Sequence, residues 1–373
     1  MRTFLRTEAP TEYTVDHTPP KDAMGLGDAT YQAWRHRVAG KGWLAAHWPT
    51  EYAGAGMTTM EQFILKEEFA LHYTPHPGGR AIEMVGPTVI MHGTDAQKRE
   101  LLPPILRGEH IYCQGFSEPE AGSDLAAVNL RAVREGDEYV LNGQKIWTSN
   151  ATTCNWMFFL ARTDPDAPKH RGISYFVMPM DSEGLSVRTI TDMAGGDELC
   201  EAFFDNVRVP ASYRIGEENR GWYVAMTTLD FERSGIAGAV GLQQDILDFL
   251  RVARPLPPAD PCREALAELY IGSEVARQMS FNIASQQERG LVPNYEASMA
   301  KLFSSELGQR FARVAVSTAG MRGMLQGEGT PHAFREGRLP NQLIRSLPRT
   351  IAGGSSEVQR GIIATRGLGL PRG

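Results

Sequence analysis

The hydrophobic period of this chain changes twice, and that order limits the folds open to it. Over residues 31–107 apolar residues recur at helical spacing: Tyr31, Trp34 and Val38 share one face, and Met60, Phe63, Leu65, Phe69 and Leu71 form another. From 112 to 211 the pattern is that of short strands, at 156–161, 173–178, 185–190 and 201–209, closed by Pro210 and the polar Gly216-Glu217-Glu218-Asn219. After Gly221 the helical period returns and predicts helices near 221–253, 262–289, 294–318 and 355–366. Helices, then strands, then helices imply separate layers of an α+β chain and not an alternating βαβ sheet. The predicted division is an N-terminal helical domain at 1–111, a middle β domain at 112–211 and a C-terminal helical domain at 212–373. A chain of 373 residues is too long for one typical core, which agrees with that division.

Local signals sharpen the boundaries. Residues 1–30 are polar and dotted with Pro and Gly, so an irregular lead-in is expected. Asp95 can cap Gln97 and Lys98, starting a helix that runs to Leu106 before Gly108. Asn142-Gly143, between Tyr139-Val140-Leu141 and Gln144-Lys145-Ile146-Trp147, predicts a hairpin, because Asn-Gly supplies the positive φ angles of a tight turn. Gly235, Gly238 and Gly241 follow no strand, so they read as a small-residue stripe for close helix packing and not as a nucleotide fingerprint. The Pro-rich run from Arg254 through Pro261 breaks the helical pattern, and Ser355 or Ser356 can cap the last helix.

Several function classes are disfavoured at once. The net charge of −6 argues against a nucleic-acid partner. Four widely spaced cysteines form no Cys-x-x-Cys pair and read as reduced thiols. His72 and His76 have metal spacing, but Pro75 disfavours the helix such a pair needs, so solvated or capping histidines and no metal site are expected. Gly-x-Ser-x-Gly is absent. The N-terminus lacks the apolar stretch of a signal peptide, and no apolar run is long enough to span a bilayer, so a cytoplasmic location without membrane contact is expected.

Two segments carry chemistry. Phe116-Ser117-Glu118-Pro119-Glu120-Ala121-Gly122-Ser123-Asp124 offers a tight turn whose successive N–H groups can cradle an anion. Lys145-Ile146-Trp147-Thr148-Ser149-Asn150 offers a flat indole and two hydroxyls. Together they read as one wall of a flavin site, with amides for a diphosphate and side chains for the ring.

In this order the two segments resemble the acyl-CoA dehydrogenase family, as do Phe231-Glu232-Arg233 and Gly353-Gly354-Ser355-Ser356-Glu357-Val358-Gln359-Arg360. The resemblance extends from about Gly42 to Gly369. It implies an acyl-CoA dehydrogenase fold: an N-terminal α-helical domain, a middle β-barrel or sandwich domain, and a C-terminal four-helix bundle. It also implies FAD as cofactor, an acyl-CoA substrate, electron-transfer flavoprotein as acceptor, and a homo- or heterotetramer of family subunits. By matching position, Phe116 and Ser117 would line the flavin ring, Gly122 and Ser123 would face the diphosphate, and Trp147 would pack on the isoalloxazine. Ser149 takes the place of the usual Thr whose hydroxyl approaches flavin N5, while Ser355 and Glu357 match positions that contact the adenosine part. Arg251-Val252-Ala253-Arg254-Pro255 departs from the family's Arg-x-x-Phe-Gly, and Ser317 replaces a Gln found near the adenine.

Removing an α-proton from a thioester calls for a deprotonated, desolvated carboxylate. Many family members carry that Glu just before the Gly-Thr-Ser of the C-terminal motif, where this chain has Gly353. A second branch, with isovaleryl- and long-chain enzymes, places it on the first long C-terminal helix directly before an Arg, which matches Glu232-Arg233. The catalytic set implied is therefore Glu232 as base, Arg233 beside it, and the Gly353 N–H as donor to the thioester carbonyl. Ala352 and Gly353 also predict a pocket suited to branched, cyclic or steroid-derived acyl groups. The alternatives are a non-catalytic partner subunit of a heteromeric acyl-CoA dehydrogenase, and a flavin oxidase or monooxygenase on the same fold.

Overall fold

A computed structural model describes residues 1–11, 29–232, 236–253, 262–327, 330–333 and 337–371, with the backbone alone at 230–232, 236, 252 and 253. Helices α1 Arg2–Glu8, α2 Ala29–Ala39, α3 Thr59–Leu71, α4 Gly86–His92 and α5 Asp95–Arg107 come first. Strands β1 Tyr112–Gly115, β2 Arg131–Glu135, β3 Glu138–Ile146, β4 Trp156–Arg162, β5 Ile173–Pro179, β6 Leu185–Ile190, β7 Leu199–Pro210 and β8 Arg214–Ile215 follow. Helices α6 Gly221–Glu232, α7 Ile236–Ala253, α8 Cys262–Glu288, α9 Tyr295–Ala319, α10 Arg338–Ser346 and α11 Ser356–Ile362 complete the chain. The contacts cluster into two compact units, one of 1–18, 57–75 and 234–373, the other of 19–56 and 76–233.

The second unit is built on a sheet of order β6-β7-β3-β2-β4-β5-β8, with β1 pairing parallel to β4. Every residue of β4, Trp-Met-Phe-Phe-Leu-Ala-Arg, is buried, which explains its unbroken apolar run: it is covered on both faces. Phe159 stacks on Phe176 at 5.6 Å, and Tyr139 meets Phe176 edge-on at 5.0 Å. In β7, Cys200, Ala202 and Phe204 point to the core, then Val207 and Val209 do. That change of parity requires an extra residue.

The extra residue corrects the predicted hairpin. Asn142-Gly143 lies inside the continuous strand β3, where Asp205 and Asn206 of β7 stand opposite Asn142 in a bulge. The Asn142 Oδ1 accepts from the Asn206 N–H at 2.9 Å, and the Asn142 amide donates to Asn206 Oδ1 at 3.2 Å. The hairpin is one turn earlier: Glu135 pairs with Glu138 across Gly136-Asp137, with Gly136 at φ +63°.

Helix α5 starts at Asp95 as expected, but its cap lies one residue earlier than predicted. Thr94, not Asp95, is the N-cap, in a reciprocal box with Gln97: the Gln97 N–H donates to Thr94 Oγ1 at 3.3 Å and the Thr94 N–H donates to Gln97 Oε1 at 2.8 Å. Gln97 Nε2 also donates to the carbonyls of Ser212 and Arg214, tying α5 to the start of β8. Thr94→Ala should cost about 1 kcal/mol, read as a lower urea midpoint at unchanged slope. At the other end, the buried Arg35 guanidinium donates to the Ile105 and Pro77 carbonyls, and Gly108 (φ +77°) leaves no room for a Cβ beside Arg35 Nε.

In the first unit α7, α8, α9 and α10 enclose Leu242, Ile246, Phe249, Leu269, Leu307 and Phe311. Helix α3 joins them through Phe63, packed with Val240 and Ala284, and through the Glu67–Arg277 ion pair. Two expectations are corrected here. Residues 2–8 form a helix, with Leu5 buried and Arg2 paired to Glu68, where an irregular lead-in was expected. Gly238 and Gly241 are not contact glycines, since a Cβ at either meets no heavy atom within 4 Å among the described residues; Gly235 lies outside them. Residues 233–235 and 254–261 also lie outside the described residues.

Candidate functional site

In the second unit the two motif segments lie side by side. The Ile146 N–H donates to the Ser117 carbonyl at 3.0 Å, so the end of β3 runs against the chain leaving β1. Beyond Ile146, the Thr148 and Asn150 N–H groups donate to the carbonyls of Cys200 and Glu198, which fasten the segment to the start of β7. Between these two anchors Trp147 adopts φ +62°, a left-handed backbone that costs a non-glycine residue of order 1 kcal/mol or more. The consequence is a large apolar side chain facing outward: the indole is 54% exposed, whereas Thr148 next to it is fully buried with its hydroxyl unpartnered among the described residues.

A buried ion pair lies behind this surface. Lys145 Nζ, fully buried, donates to Glu118 Oε1 at 2.6 Å and to the Phe116 carbonyl at 3.2 Å. Glu118 in turn accepts from the N–H groups of Asn129 (2.6 Å) and Leu130 (2.9 Å). Burial pulls the Lys145 ammonium down to about 8, against the opposing attraction of Glu118. Arg162 works alongside, donating to the Ala126 and Val128 carbonyls, so the loop between the motifs is held from below. Neither Lys145 nor Glu118 was singled out from the sequence. Lys145 shares the strand parity of the buried Tyr139 and Leu141, but so does the exposed Gly143, and a lysine there reads as a surface residue until the sheet around β3 is known.

The predicted site residues of this unit fall into two groups. Ser117 and Ser149 are half-buried, and their hydroxyls make no hydrogen bond among the described residues. Gly122, Ser123 and Asp124 are exposed, and none of their N–H groups donates to a described residue. Phe116 differs: its ring is buried, edge-on to Phe158 at 5.5 Å and to Tyr175 at 6.2 Å, so its side chain is occupied by packing. An exposed flat ring, two free hydroxyls and three successive free amides are the donors and surface that a flavin and its diphosphate need, and they fit FAD.

Glu232 is the last residue of α6; its side chain and all of Arg233 lie outside the described residues. The helix itself is well fixed. Buried Gly221 starts it against the backbone of Ser174 and Tyr175 in β5. Farther along, Thr228 Oγ1 is 2.8 Å from Thr88 Oγ1, and His92 Nε2 is 3.0 Å from Thr227 Oγ1, which pins α6 to α4. Glu232 follows Thr228 by one turn.

The first unit contains the C-terminal motif. Gly353 and Gly354 take φ +65° and +87°, a two-residue left-handed turn ahead of α11. Lys301 Nζ donates to the Gly354 carbonyl at 2.6 Å, and Gln359 Nε2 donates to both glycine carbonyls. With its carbonyl engaged, Gly353 keeps an exposed N–H that donates to no described residue. Ser355 caps α11 through the Val358 N–H at 3.3 Å. Glu357 is exposed; its own backbone N–H and the Ser355 hydroxyl hold its carboxyl below the usual range.

Three family models match the chain. The acyl-CoA dehydrogenase N-terminal domain matches residues 2–109, the middle domain 113–207 and the C-terminal domain 219–368. Acyl-CoA dehydrogenase FadE26 of Mycobacterium tuberculosis is 36% identical over 387 residues, covering 100% of this chain and 96% of its own length. Among solved structures, the Tcur3481-Tcur3483 steroid ACAD is 32% identical with a TM-score of 0.87, covering 100% of this chain and 96% of that one. The ChsE4-ChsE5 complex from Mycobacterium tuberculosis gives 34% identity and a TM-score of 0.84 over 100% of this chain and 96% of that one. The chain therefore belongs to the acyl-CoA dehydrogenase family, whose members are FAD-dependent flavoproteins.

Proposed function

We propose that the chain dehydrogenates an acyl-CoA thioester between its α and β carbons, with Glu232 as the base. The observation that carries this reading is Trp147, an exposed indole held at positive φ beside free donors. FAD, when bound, supplies the acceptor for the β-hydride. Ser117 and Ser149 offer hydroxyls to the ring, Trp147 its surface, and Gly122 and Ser123 their amides to the diphosphate, while Ser355 and Glu357 serve the adenosine part. The buried Phe116 contributes through its backbone position beside Ser117. Glu232 accepts the α-proton, with Arg233 as its neighbour, and the Gly353 N–H donates to the thioester carbonyl, where negative charge develops. The domains meet near 111 and 211, and electron-transfer flavoprotein takes the electrons onward.

The acyl group is branched, cyclic or steroid-derived. Among the described residues a Cβ at Gly353 meets no heavy atom within 4 Å, so glycine leaves space where a side chain would intrude. The Tcur3481-Tcur3483 steroid ACAD, a structural relative of this chain, points the same way. Family-type oligomers, homomeric or heteromeric, are supported by the ChsE4-ChsE5 complex, a structural relative of this chain.

Anaerobic titration of the flavin-loaded protein tests the reading. Branched or steroid-derived acyl-CoA should bleach the flavin band and yield the α,β-unsaturated thioester, with straight-chain acyl-CoA less effective. Bound flavin that no acyl-CoA bleaches would refute dehydrogenation; equal bleaching by straight chains would refute the substrate class alone.

A further inference from the structure

The Lys145–Glu118 pair poses an energetic question. Removing an ammonium and a carboxylate from water costs several kcal/mol per ion, and apolar residues of similar volume would often fill such a place at no loss of stability. Here the pair stands where the two motif segments meet. Glu118 is the residue after Ser117, and Lys145 is two residues before Trp147. Through one Nζ, Lys145 holds both the Glu118 carboxylate and the Phe116 carbonyl, the two groups that bracket Ser117. The Ile146 N–H closes the bracket on the Ser117 carbonyl itself. Glu118 carries the restraint into the loop after the Gly122-Ser123 turn, through the Asn129 and Leu130 N–H groups.

We propose that the buried Lys145–Glu118 pair positions the flavin-facing surface, locking Ser117, the Gly122-Ser123 turn and Trp147 into one register so that FAD meets a preformed wall. The inference rests on the reading of that wall as the FAD site. It makes both residues positioning residues, since neither side chain reaches the exposed surface: the Lys145 side chain is 0% exposed and that of Glu118 7%. A hydrogen bond with both partners charged is short, directional and about twice as strong as a neutral one, which suits a clamp that has to fix register. The same burial that lowers the Lys145 ammonium to about 8 gives the clamp a pH limit: as Lys145 loses its proton the restraint weakens.

The test separates positioning from bulk stability. In Lys145→Met/Glu118→Gln both charges are removed together, so no unpaired ion stays buried and the fold should persist. Measured on apoprotein by flavin fluorescence titration, its dissociation constant for FAD should rise roughly tenfold or more. Hydrogen exchange at the Ile146 amide should quicken, while exchange at Phe159 in β4 stays as in wild type. A double variant with unchanged FAD affinity and unchanged Ile146 exchange overturns the proposal. A second measurement needs no variant: in wild-type apoprotein, Ile146 protection relative to Phe159 should fall several-fold as the pH rises from about 7 to about 9, across the Lys145 value. A flat ratio overturns the proposal as well. Wild-type apoprotein that takes up no FAD would instead defeat the reading of the wall, and the inference with it.

Discussion

Glu232→Gln is expected to slow substrate reduction of the flavin by about 10² to 10⁴-fold while FAD stays bound. The α-hydrogen of a thioester is a weak acid, and glutamine matches glutamate in size but cannot accept the proton. The alternative position of the family carboxylate is taken by Gly353, which offers an amide and no base. FAD retention is part of the expectation, because the proposed ring and diphosphate contacts are supplied by residues 116–149, and substitution at the end of α6 removes none of them. Stopped-flow bleaching under anaerobic conditions, at matched flavin occupancy, gives the measurement. A Gln variant bleached as fast as wild type removes Glu232 from the mechanism, whereas a variant purified without flavin would show that the end of α6 matters for binding.

Much of this fold was visible in hydrophobic period, and the failures share a cause. Leu185–Ile190 is a strand with the predicted ends, and the faces Tyr31-Trp34-Val38 and Phe63-Leu65-Phe69 are buried as their spacing implied. These signals are local: each residue's burial follows from its own helix or strand. Asn142-Gly143 failed because a turn dipeptide is equally at home in a bulge, and only the partner strand, with Asn206 at φ +51°, decides between them. Gly136-Asp137, the real two-residue turn, is itself a recognised hairpin signal and was legible. The flavin-facing residues were found by motif, but their support was not. Lys145 looks like a surface residue until β3 is given its sheet, and Glu118 gains its role only through partners at Lys145 and at residues 129–130. Helix α1 illustrates the converse, since a short polar helix becomes stable through tertiary contacts such as Arg2–Glu68 and not through its own periodicity.

Gly221→Ala should lower stability and turnover together. A Cβ at Gly221 would lie 2.4 Å from the Ser174 carbonyl carbon and the Tyr175 nitrogen, and 2.5 Å from the Ser174 Cα. All three are backbone atoms of β5, a strand hydrogen-bonded to β4 along its length, so no side chain can swing aside. Helix α6 has to move instead. Its displacement strains the Thr88–Thr228 and His92–Thr227 contacts, and overpacking of this kind costs about 1–3 kcal/mol. A helix transmits the shift along its axis, and Glu232 lies roughly 16 Å from Gly221 at 1.5 Å per residue. If the base moves by about 1 Å relative to the α-carbon, turnover falls on the order of 10²-fold. FAD affinity should change little, because the flavin-facing wall belongs to the chain around β1 and β3. Gly238→Ala on α7 is the control: its Cβ meets no heavy atom within 4 Å among the described residues, and alanine favours a helix over glycine by about 1 kcal/mol, so that variant should be as active as wild type and no less stable. A Gly221→Ala protein with the wild-type urea midpoint and turnover would mean that α6 can shift on β5 without moving the base.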